Sequence, residues 1–106
     1  MEIKGTILCI DEIIDKLYID ERFAYTKISE IINEIRDEYS AFMTIIPGLN
    51  KLGMNIDIQL LIVQLQNLSD AIETRNKVKI YDTLGFEIKD TLLLYDEILK
   101  EINGDT

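Results

Sequence analysis

Apolar side chains recur at alternating steps of three and four residues along almost the whole chain, and that spacing commits it to helices packed face to face. Ile3, Ile7, Ile10, Ile14 and Leu17 form a first stripe; Ile28, Ile31 or Ile32, Ile35, Tyr39, Phe42 and Ile46 form a second. Met54, Ile58, Leu61, Leu65, Leu68 and Ile72 make a third, and Val78, Tyr81, Gly85, Ile88, Leu92, Tyr95, Leu99 and Ile102 a fourth. These are helical periods and not the alternation of strands.

The stripes are separated by few breaks. Pro47, Gly48 and Gly53 fall together and predict a central loop over 47–54, the one place where helix-breaking residues cluster. Asp20 can cap a helix whose first turn holds Glu21, and Asn76 can close one helix and cap the next. The expected helices are then about 5–18, 21–46, 55–74 and 77–102, in a single helical domain 1–106. Short links favour antiparallel neighbours, so the predicted fold class is all-α, an up-down-up-down four-helix bundle. The first two stripes share nearly one phase and would also fit a single long helix that must dimerise. Three consecutive charges, Asp20, Glu21 and Arg22, favour the hairpin, because Glu21 would otherwise land inside a continuous apolar stripe.

Composition supports a core and narrows the chemistry. Of the 106 residues, 20 are Ile, 13 Leu and 2 Val, enough apolar bulk for one small core. The apolar runs are far shorter than the roughly 20 residues a membrane span needs, and no signal peptide is expected. One cysteine, Cys9, excludes an internal disulfide. The absence of histidine removes the commonest general base and transition-metal ligand, so Cys9 and the serines Ser29, Ser40 and Ser69 have no imidazole to activate them. Gly48 and Gly53 match no phosphate-cradling motif. Twenty acids against eleven bases give a net charge of −9, which repels nucleic acid and anionic membranes. The one basic cluster, Arg75, Lys77 and Lys79, falls at the junction of the third and fourth helices. There Arg75 complements the C-terminal end of the third helix dipole, and the two lysines are solvated.

Glu12 with Asp15, and Glu34 with Asp37, form an E-x-x-D pair on each of two neighbouring helices. This resembles the signature of the MazG and dimeric dUTPase type of all-helical nucleotide pyrophosphatase, and the resemblance implies magnesium held between helices. Projection at about 100° per residue sets Glu12 and Asp37 nearly opposite the apolar centres of their helices, with Asp15 and Glu34 well off them. Acids so placed face water, and no cofactor or metal is expected within one chain.

The third and fourth helices carry more apolar residues than one buried face needs. Ile56, Leu60 and Val63 form a second stripe nearly opposite the first, and Phe86 and Leu93 lie away from the main face of their helix. Either the 47–54 loop folds over them with Leu49, Leu52 and Met54, or these five residues meet another chain, foremost a second copy. Gly85 occupies a stripe position, so something bulky such as Tyr39 or Phe42 is expected opposite it. The tyrosines, Tyr18, Tyr25, Tyr39, Tyr81 and Tyr95, could bring hydroxyls to helix interfaces. The expectation is a small acidic bacterial protein of the cytoplasm that binds protein through this face, as adaptor, chaperone or regulator, and is not an enzyme. A magnesium-dependent pyrophosphatase and a structural subunit of a larger assembly are the alternatives. In general form, a small acidic bundle, it is similar to secretion and flagellar export chaperones.

Overall fold

Three helices begin where a side-chain oxygen takes the place of a missing helical acceptor. Asp20 accepts from the Phe23 amide at 3.2 Å, Asp57 from Gln59 at 2.9 Å and Asn76 from Lys79 at 3.1 Å. In the computed structural model, which describes residues 2–104, the chain is all-α with four helices and, among those residues, no strand. Helix α1 is Ile3–Lys16, α2 is Glu21–Lys51 and α3 is Ile58–Glu73. The fourth, α4, is one rod made of an α-helical stretch Lys77–Asp82, a π-helical stretch Thr83–Ile88 and an α-helical stretch Lys89–Ile102.

The link between α1 and α2 is a tight turn in which the amides of Ile19 and Asp20 both bond to the Lys16 carbonyl. Because Thr6 of α1 bonds Glu38 of α2, the two helices double back on each other and are not one rod. Helices α2 and α3 pack together, as do α3 and the first two stretches of α4. The last stretch of α4 closes on α1 and α2. The core runs through Ile10, Ile13, Ile35, Phe42, Leu68, Ile80, Leu84 and Ile88, all buried, and each such side chain contributes on the order of 2 kcal/mol. Phe42 and Tyr95 stack across α2 and α4 with ring centroids 4.6 Å apart and planes 10° from parallel.

The central loop expected over 47–54 is shorter and later than its breakers suggested. Helix α2 continues through Pro47 to Lys51, and the connection runs over 52–57. Pro47 sits on the exposed side of the helix, where water can serve the carbonyl one turn back that lost its donor. The stop comes at Gly53, at φ +104°, with Met54 N–H on the Leu49 carbonyl and Gly53 N–H on Asn50. Asn50 then clasps Ile56, its amide donating to the Ile56 carbonyl and accepting from the Ile56 N–H, both at 2.9 Å.

The end of α3 repeats the motif with a different residue. Asn76 N–H reaches the Ala71 carbonyl and Arg75 N–H that of Ile72. The left-handed position is here filled by Arg75, at φ +51°, the one non-glycine residue with positive φ among those described. An L side chain in that conformation costs roughly 1–2 kcal/mol.

Two packing expectations change. Gly85 lies against neither Tyr39 nor Phe42; a Cβ there would stand 3.1 Å from Cδ1 of Ile14 on α1. The fourth stripe holds from Ile88 through Tyr95; beyond it Ile98 is buried, Leu99 only partly so and Ile102 exposed, and before it the buried residues are Ile80, Thr83 and Leu84, while Val78 is exposed. The π-helical stretch shifts the phase between the two halves of α4, so one period cannot describe both.

Candidate functional site

Four of the five apolar residues set apart in the sequence stay outside the core. Leu60 is 52% exposed, Val63 38%, Phe86 55% and Leu93 42%. Ile56 is the exception: half-buried, it packs against the core because the Asn50 clasp draws its backbone in. The segment that could have covered the others does not, since Leu52 is 84% exposed and Leu49 turns into the core. Phe86 meets Tyr81 of its own helix with ring centroids 5.6 Å apart.

The E-x-x-D acids are not brought together. Glu12 and Asp15 are exposed on α1. Glu34 and Asp37 instead border a cleft of about 580 Å³ with Glu38 and Tyr95, near the start of α1 and the end of α4. Among the described residues no group of three or more carboxylate, histidine or cysteine side chains could hold a metal ion. The basic cluster is likewise engaged with acids: Lys79 pairs with Asp70 at 2.6 Å, while Arg75 and Lys77 pair with Glu21 at 3.4 and 3.5 Å. Cys9 is half-buried, and burial pushes its thiol up, with Glu12 and Glu30 adding and Lys27 opposing. That is the environment of an inert thiol, not of a nucleophile.

Polar chemistry the stripes did not reveal lies inside the bundle. Gln64 of α3 is buried, and its Oε1 accepts from the Tyr39 hydroxyl at 2.6 Å and the Thr91 hydroxyl at 2.8 Å, joining three helices. Burial drives the Tyr39 hydroxyl far above its ordinary range, so it remains a donor. Glu38 is buried as well, with Oε2 bonded to the Thr6 hydroxyl and Oε1 without a partner among the described residues. Burial raises its carboxyl above the ordinary value, the Thr6 bond opposes, and Glu34 and Asp37 raise it further. A signal for both existed: each sits within one residue of a core position in its stripe.

Compared with known proteins, the chain matches no family model, and neither a curated protein nor a solved structure is significantly similar to it.

Proposed function

We propose that this protein is a protein-protein interaction module, an adaptor, chaperone or regulator that works through the apolar side chains of α3 and α4 and pairs first with a second copy of itself. The observation that carries the reading is the exposure of Leu60, Val63, Phe86 and Leu93 in a chain whose connecting loop leaves them uncovered. Large apolar side chains kept at the surface on two adjacent helices favour association, and closed two-fold pairs are the commonest form it takes. The reading is one of binding, without catalysis, since a chain lacking histidine has few routes to general acid-base work. Its isoleucine-rich composition and single cysteine fit a cytoplasmic protein of an AT-rich bacterium. No helix among the described residues is long and apolar enough to cross a membrane.

Light scattering during size exclusion, over a range of protein concentrations and at low and high salt, tests the pairing. A mass of two chains that falls to one in Leu60→Glu and Phe86→Glu, with far-ultraviolet circular dichroism unchanged, supports it. A monomer at every concentration overturns the self-association, and loss of helicity in Leu60→Glu overturns the assignment of that side chain to a surface.

A further inference from the structure

Between α2 and α3 lies a hollow of about 370 Å³ that gathers donors at both ends of an apolar floor. At one end Tyr25 and Ser29 of α2 meet Arg75, whose guanidinium lies 4.0 Å over the Tyr25 ring. At the other, Arg36 donates to the Ser69 hydroxyl at 3.5 Å. Ile28, Ile32 and Ile72 line the stretch between. A second hollow of about 400 Å³ shares Tyr25, Ser29 and Arg75 and adds Arg22. All three arginines of a chain with net charge −9 therefore border one connected depression.

Two features there bear on what the hollow could hold. The Tyr25 hydroxyl is buried yet makes no hydrogen bond among the described residues, a cost that phenylalanine would avoid. Arg75 holds a left-handed backbone position that Gly53 fills at the equivalent end of α2 without steric cost. The strain keeps a guanidinium, which glycine would lack, over Tyr25 and against a carboxylate, and beside it lies an unsatisfied donor; a cation and a free hydroxyl together suit an anionic ligand. Its donors are cationic and hydroxylic, so the ligand is an anion, which takes the place of the exposed Glu21 carboxylate now 3.4 Å from the Arg75 guanidinium.

The geometry points to a linear organic dianion, with one carboxylate or phosphate at Arg75, Tyr25 and Ser29, an apolar body over Ile28, Ile32 and Ile72, and a second anionic end at Arg36 and Ser69. Tyr25 and Arg36 are eleven residues apart, about 16 Å of helix, and the long arginine side chains shorten the gap to what a medium-chain molecule spans. A volume of about 370 Å³ accommodates such a molecule.

Sebacate, nonanoate and 1,8-octanediol bisphosphate are titrated into the nitrogen-15-labelled full chain, and amide shifts are followed at Tyr25, Ser29, Arg36 and Ser69. Saturable shifts confined to these residues are expected, with sebacate or the bisphosphate bound about tenfold more tightly than nonanoate. Whichever dianion binds better identifies the head group. Arg36→Gln is expected to erase the advantage over nonanoate, and Arg75→Gly to weaken both ligands while keeping the fold. Tyr25→Phe, which also keeps the fold, is expected to weaken both as well. No saturable shifts at these residues with any probe, equal binding of mono- and dianion, or affinities unchanged in Arg36→Gln overturns the proposal.

Discussion

The Thr6 hydroxyl donates to one carboxylate oxygen of Glu38 at 3.1 Å and leaves the other without a partner among the described residues. Burial and the charges of Glu34 and Asp37 raise this carboxyl above its unfolded value, so the folded state holds the proton more tightly than the unfolded chain does. The stability this confers is fully present below the unfolded value and is lost as pH rises through the raised one. Glu38→Gln, a near-isostere of the protonated acid, is therefore expected to melt higher than the parent at pH 8. Near pH 4 the two should melt together, and thermal denaturation across that range reads the convergence.

Gln64 is expected to matter more for Tyr39 than for Thr91. The Thr91 hydroxyl has a second acceptor in the Glu87 carbonyl at 3.0 Å, whereas the Tyr39 hydroxyl donates to Gln64 at 2.6 Å and has no backbone carbonyl as a second acceptor among the described residues. Gln64→Leu should cost about 1–3 kcal/mol, the penalty of one stranded buried hydroxyl. Adding Tyr39→Phe should recover most of it, while adding Thr91→Val should not; urea unfolding of the single and double variants measures both.

Leu60 and Leu61 are neighbours in sequence with opposite fates. Leu61 is 2% exposed, so Leu61→Ala should destabilise by about 2–5 kcal/mol. Leu60→Ala should stay within about 0.5 kcal/mol of the parent when unfolding is followed at concentrations where the chain is monomeric. Equal losses at the two positions would contradict the helix phase described for α3.

Gly85 faces Ile14 so closely that a larger residue must move it. Gly85→Val is expected to lose roughly 1–3 kcal/mol by overpacking. Ile14→Ala should partly rescue that variant although it destabilises the parent, a sign reversal that calorimetry of the four proteins can detect.

Much of this architecture was legible because helical spacing and capping residues are local. Asp20 and Asn76 act where the sequence placed them, and every second-stripe position from Ile28 to Ile46 reaches the core, with Ile31 in preference to Ile32. The misreadings come from effects that local pattern does not encode. Pro47 is tolerated because of the side of α2 it occupies, and the opposing partner of Gly85 depends on how α1 docks. The arginine-lined hollow joins residues far apart in the chain, so spacing gave no hint of it. The exposed apolar residues were legible as a surplus, but Ile56 was drawn out of that set by a side-chain clasp from Asn50.

The π-helical stretch Thr83–Ile88 acts as a swivel built into a single rod. An uninterrupted α-helix would carry one apolar face from end to end and could seat only one side of a bundle along its length. One widened turn rotates the two ends relative to each other, so that the beginning of α4 fits α3 while its end fits α1 and α2. The same helix thus serves two sets of neighbours in succession, and the outward side that remains, with Phe86 before the widened turn's end and Leu93 after it, is fixed by that rotation as firmly as the core is.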